Sequence, residues 1–170
     1  MTPDRGPLLR WVLLVSTAYL VQVGVVVDLS IFGVHPDLML LVAASAGIVA
    51  GPARGAEVGF ASGLLADLVL QGPLGTTALA YAVVGFGAGA VGEALMRTSR
   101  AISVAVVTAA SAAGTLLYAL LGQLLGQRTL SDPRLWSIVA IVALCNAALC
   151  LPALAASRWA EGEGLRTDVG

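Results

Sequence analysis

Few residues in this chain could do chemistry, and the ones that matter lie within or at the ends of apolar runs: Asp67, Asp37, Glu57, Glu93 and the single histidine, His35. A charge held in hydrocarbon costs several kcal/mol, so each needs a physical reason to be there. Asp67 stands three residues before the end of its run, Ala56–Leu70. Two readings compete: a carboxylate that reaches the interface or caps the turn at Gln71–Gly75, and a carboxylate in a partner-binding or structural pair. Both outrank proton relay. Glu57 follows Arg54 by three residues, and Glu93 precedes Arg97 by four, so local ion pairs at helical spacing account for both. In Val34-His35-Pro36-Asp37-Leu38, Pro36 fits the first turn of a helix and Asp37 puts negative charge at the positive end of its dipole. A lone histidine beside that proline reads as structural. Asn146, Ser111 and Thr115 can hydrogen-bond between helices, each for roughly 1 kcal/mol. Cys145 and Cys150 are five apart, about 500° around a helix, which turns them away from each other and makes them free, buried thiols. The sequence contains no paired-carboxylate site, nucleophile with a base, phosphate-binding loop or metal-ligand cluster. The expectation is a protein without catalytic residues or cofactor.

The elements that must hold these residues follow from composition. Of 170 residues, 58% are hydrophobic and 11% charged, whereas a soluble domain carries roughly 25% charged residues. Lipid has to cover part of that apolar surface. The runs are Trp11–Val27, Leu38–Ala50, Ala56–Leu70, Leu74–Leu95, Ala101–Leu125 and Leu135–Ala156. They predict an all-α polytopic membrane protein of one domain, residues 1–158, with about six spans at 11–27, 36–51, 54–70, 74–95, 101–125 and 135–156. A crossing helix needs about 20 apolar residues. The second and third runs are shorter, so they tilt little, sit in thinned bilayer, or form a re-entrant pair. The basic start and first run resemble a signal peptide but lack its small-residue cleavage site, which predicts a retained span.

Cytoplasmic loops accumulate positive charge during insertion. With both termini cytoplasmic, that side carries Arg5, Arg10, Arg54, Arg97, Arg100, Arg158 and Arg166, and the other only Arg128 and Arg134. The net charge of −1 and the absence of a basic tract argue against nucleic acid. Residues 159–170 mix acidic, basic and glycine residues without apolar periodicity and read as a disordered cytoplasmic tail. Helices in lipid associate through close backbone approach at small residues. Gly55, Gly59 and Gly63 form such a row, continued by Asp67, and Ala43, Gly47, Gly51 and then Gly85, Gly89, Gly92 form others. They predict a tight cluster of the second, third and fourth helices. A row facing a second copy of the chain or a partner protein is the alternative.

The ordered string His35-Pro36-Asp37-Leu38, Arg54-Gly55, Gly59-Phe60, Gly63-Leu64-Leu65, Asp67-Leu68, Gly72-Pro73-Leu74-Gly75 and Ala78-Leu79-x-Tyr81 resembles the rod shape-determining protein MreD family over the first half of the chain. The later spans match it in hydropathy and number only. The resemblance implies an inner-membrane scaffold of the cell-elongation machinery, non-catalytic, that binds the membrane-anchored MreC. Through MreC it would reach the actin-like MreB filament, RodA and a class B penicillin-binding protein, coupling filaments to peptidoglycan synthesis. The expected contact for the single MreC helix is the glycine ridge at Gly59 and Gly63, with the external ends around Pro36–Asp37 and Asp67–Gly75 as further docking points. The family fold is similar to the substrate-binding subunits of energy-coupling-factor vitamin transporters. That makes such a subunit the alternative function, with Asp28, His35, Gln71 and Asp132 as scattered external polar candidates.

Overall fold

The computed structural model describes residues 5–26, 35–68, 74–95, 99–127 and 129–162. They form helix α1 (Arg5–Val21), a π-helical turn (Gln22–Val26), α2 (Leu38–Ala50), α3 (Pro52–Asp67), α4 (Thr76–Ala94), α5 (Arg100–Leu124) and α6 (Leu135–Glu161). No strand occurs among the described residues. Four helical segments are long and apolar enough to cross a membrane: Gly6–Gly24, Thr76–Ala94, Arg100–Leu124 and Leu135–Glu161. At 1.5 Å per residue, α2 is about 20 Å long and α3 about 24 Å, both short of a hydrocarbon core of about 30 Å.

The low polarity of α2 on every side follows from its position. Eleven of its 13 residues, Met39 to Val49, are buried. Around it α1, α3, α4, α5 and α6 pack in a closed ring, each touching its two neighbours and α2. A helix apolar all round belongs in such an interior, because no side of it meets water. The main core joins Met39, Leu40 and Ile48 of α2 with Tyr81 and Val84 of α4, Val107 of α5, and Cys150 and Leu154 of α6.

Glycine sets the spacing of α2, α3 and α4. A Cβ at Gly85 would lie 2.2 Å from the Gly55 carbonyl oxygen, one at Gly47 would lie 2.1 Å from the Gly85 oxygen, and one at Gly59 2.3 Å from the Tyr81 oxygen. No side chain fits at these points, so the three backbones touch directly. The glycine rows therefore close on one another within the chain, and Gly59 and Gly63 are buried against α4. This corrects the expectation that their ridge receives a partner's helix. A bare hairpin joins α2 to α3 through Gly51, whose φ of +90° is left-handed and strains any other residue. Pro52 then opens α3 at a position where its missing N–H costs nothing.

Element ends differ from the apolar runs where side chains extend or cap a helix. The first helix begins at Arg5, ahead of the expected Trp11, and Val27 lies outside the described residues. Trp11 Nε1 donates to Glu161 Oε2 at 2.8 Å, and the Arg10 guanidinium lies 5.8 Å above the Trp159 ring. That dock holds α6 helical through Glu161, so Trp159 and Glu161 belong to the bundle and not to a disordered tail. Residues 163–170 are outside the described set.

Candidate functional site

Polar side chains from five helices meet at the end of the bundle where α2 and α4 begin. Asp37 is the N-cap of α2 and accepts from the Leu40 N–H through Oδ1 at 3.0 Å. Its second oxygen accepts from the Tyr81 hydroxyl of α4. Its backbone carbonyl accepts from Asn146 Nδ2 of α6 at 3.1 Å, and the same amide donates to Ser111 Oγ of α5 at 3.0 Å. Gln22, in the π turn after α1, closes the group: its Nε2 donates to the Pro36 carbonyl at 3.0 Å and its Oε1 accepts from the Leu38 N–H at 2.8 Å. The Pro36-Asp37 corner is thus held by the π turn, α4 and α6, with Ser111 of α5 steadying the Asn146 amide. His35 is half-buried just before it.

Asp67 ends α3 beside the same end. Its carboxylate accepts from the Gly75 N–H at 2.7 Å, the Thr77 N–H at 3.2 Å and the Ala78 N–H at 3.4 Å. These are first-turn donors of α4 that have no partner within the helix, and negative charge there also meets the helix dipole. Gly75 takes φ +93° to begin that turn. A carboxylate on α3 therefore supplies the cap of α4, which the glycine at its N-cap cannot.

The remaining expected residues separate from this group. Gly55, Gly59 and Gly63 face α4, Phe60 is half exposed on the outward side of α3, and Gly72 and Pro73 lie outside the described residues. Arg54 is at the opposite end, where it pairs with Glu57 at 2.7 Å and comes within 4.0 Å of Glu161. Arg97, expected to pair with Glu93, lies outside the described residues, and the Glu93 carboxylate lies against Gly51. Thr115 bonds to the Ser111 carbonyl of its own helix instead of crossing to another. Both cysteines are free, Cys150 buried and Cys145 only half-buried.

Chemically this arrangement fastens helices. The Asp37 and Asp67 carboxylates are both engaged by protein donors, and among the described residues no three His, Cys, Asp or Glu side chains converge as a metal site would require. Two buried oxygens nearby, Asn146 Oδ1 and Thr77 Oγ1, have no hydrogen-bond partner. Sequence reasoning missed Gln22 as a clamp and the Tyr81–Asp37 bond. The one amide in the long apolar first run was the available signal for Gln22.

A second feature lies on the flank of the bundle. Between α4 and α5 runs an apolar groove of about 740 Å³, walled by Val83, Gly87 and Val91 on one side and Ala105, Ala109 and Ala113 on the other. Each wall repeats every four residues, so each is one straight row on its helix. The groove spans Ile102 to Leu117 along α5, about 22 Å. A Cβ at Gly87 would meet nothing within 4 Å, unlike Gly85 two residues earlier.

A family model described as rod shape-determining protein MreD matches residues 5–145. No curated protein and no solved structure matches the chain.

Proposed function

The chain belongs to the MreD family, whose role is in determining rod shape, and from that premise we propose that it is a non-catalytic scaffold which seats a single transmembrane helix of an MreC-type partner. The observation that carries this reading is the α4–α5 groove. A helix in lipid gains nothing from hydrophobic exclusion and associates where small residues allow close approach. Gly87, Ala105, Ala109 and Ala113 offer such a face on the flank of the bundle, whereas the glycines of α3 are already engaged inside it. Through that partner the scaffold couples MreB filaments to RodA and a class B penicillin-binding protein. The topology that goes with this function has both termini on the cytoplasmic side of the inner membrane. In it, α2 and α3 cross or dip as one short hairpin.

The competing function, a substrate-binding subunit of an energy-coupling-factor transporter, needs convergent polar groups left open to a ligand. At the α2–α4 end, Asp37, Asp67, Tyr81 and Gln22 already bond to protein. Co-purification in mild detergent tests the proposal, with the host's MreC-type protein and a vitamin-transport energising module as competing baits. Recovery of the MreC-type protein, lost in Gly87→Leu while thermal unfolding is unchanged, is the expected result. Recovery of the energising module alone overturns it. Full recovery of the MreC-type protein with Gly87→Leu overturns the groove as its seat.

A further inference from the structure

At the arginine-rich end of the bundle, the start of α5 and the last turns of α6 enclose a cleft of about 430 Å³. Its polar wall is Ser99, Arg100 and Ser103 from α5 and Arg158 from α6, and its floor is Leu151, Leu154 and Ala155. The basic groups at this end differ in their engagement. Arg54 is neutralised by Glu57 and Glu161, and Arg10 stacks on Trp159. Among the described residues Arg100 and Arg158 form no ion pair and no carboxylate lines the cleft they share. Ser99 accepts from the Ile102 N–H at 3.3 Å as the N-cap, which leaves its hydroxyl hydrogen available to donate. Two arginines and a hydroxyl donor thus line one cleft with an apolar floor, at the level where a membrane helix begins and another ends.

We propose that this cleft binds the phosphate of an anionic glycerophospholipid, with its acyl chains lying over Leu151 and Ala155. Guanidinium groups bind phosphate through paired, charge-assisted hydrogen bonds. A basic pocket between membrane helices is a recurring way to hold an acidic headgroup. The floor distinguishes a lipid from a free anion, because inorganic phosphate gains nothing from leucine. The inference rests on the membrane reading of the helices and not on the scaffold function, so either can fail without the other.

The test is lipid retention by the purified full chain, read by native mass spectrometry after exchange into phosphatidylglycerol, phosphatidylcholine or detergent with inorganic phosphate. Phosphatidylglycerol is expected to be retained in preference to phosphatidylcholine, and millimolar phosphate is expected not to displace it. A surface arginine is worth about 1 kcal/mol toward an acidic lipid, so Arg100→Gln or Arg158→Gln should weaken retention roughly fivefold and the double variant about thirtyfold. Arg54→Gln, whose charge is already paired, should leave the preference intact. Equal retention of the two lipids, an unchanged preference in the double variant, or complete displacement by phosphate would overturn the proposal.

Discussion

Adding one methyl group should destabilise the protein at Gly85 and leave it no less stable at Gly87. At Gly85 the new Cβ would sit 2.2 Å from the Gly55 carbonyl oxygen, 2.7 Å from its carbon and 3.1 Å from the Ala43 oxygen. All three are backbone atoms of neighbouring helices, which cannot rotate aside, so α4 has to retreat from α3 by about 1.2 Å to reach ordinary contact. Overpacking of this kind costs about 1–3 kcal/mol, and here two interfaces open together, so the upper end applies. Alanine returns about 1 kcal/mol of helix propensity. The net is a loss of about 2 kcal/mol for Gly85→Ala, roughly a thirtyfold fall in the folded-to-unfolded ratio. Gly87→Ala keeps the propensity gain and meets no atom, so it should be neutral or stabilising by up to about 1 kcal/mol. Unfolding by sodium dodecyl sulfate titration in mixed micelles, followed by the fluorescence of the three tryptophans, measures both. Adding Gly55→Ala to Gly85→Ala should cost less than it does alone, since both open the same gap. Equal stability of the Gly85→Ala and Gly87→Ala proteins would refute the packing of α3 on α4 derived above.

Asp67→Asn leaves one acceptor oxygen for three backbone donors and should lower stability by about 1–2 kcal/mol in the same titration. A double-mutant cycle of Asp37→Asn and Tyr81→Phe should return a coupling of about 1–2 kcal/mol, and additive losses would mean that the two side chains do not share a bond. Trp11→Phe removes the donor to Glu161, costs about 1 kcal/mol, and should speed proteolysis at the C-terminal end of α6 more than elsewhere.

Hydropathy made the helices legible, because a membrane span must be apolar along its whole length and polar residues mark its ends. The glycine rows at Gly47, Gly55 and Gly85 likewise disclosed a tight cluster, since four-residue spacing fixes one face of a helix. Spacing fixes a face and says nothing of its neighbour. For that reason the ridge at Gly59 and Gly63 was as readable for a partner's helix as for α4, and only the 2.3 Å approach to the Tyr81 carbonyl decides between them. The caps divide in the same way. Asp37 capping α2 is a local relation, visible in Pro36-Asp37-Leu38, whereas Asp37 with Tyr81 spans 44 positions and Asn146 with Asp37 spans 109. Asp67 could be recognised as a candidate cap from its place before the turn, but the donors it satisfies depend on how α3 and α4 are set side by side. The α4–α5 groove was not legible at all, because alanines that line a vacant face and alanines that pack a core look alike in sequence.

The enclosure of α2 also imposes an order on biogenesis. Synthesis delivers this helix before the four that complete its surroundings, so for a time its small residues face lipid instead of protein. An apolar helix can wait there, since its backbone groups are satisfied internally. Asn146, on the last helix to arrive, then ties α5 and α6 to the Asp37 carbonyl, which already accepts from the Leu41 N–H of its own helix. A chain halted before α6 lacks that latch and leaves the central helix uncovered on one side.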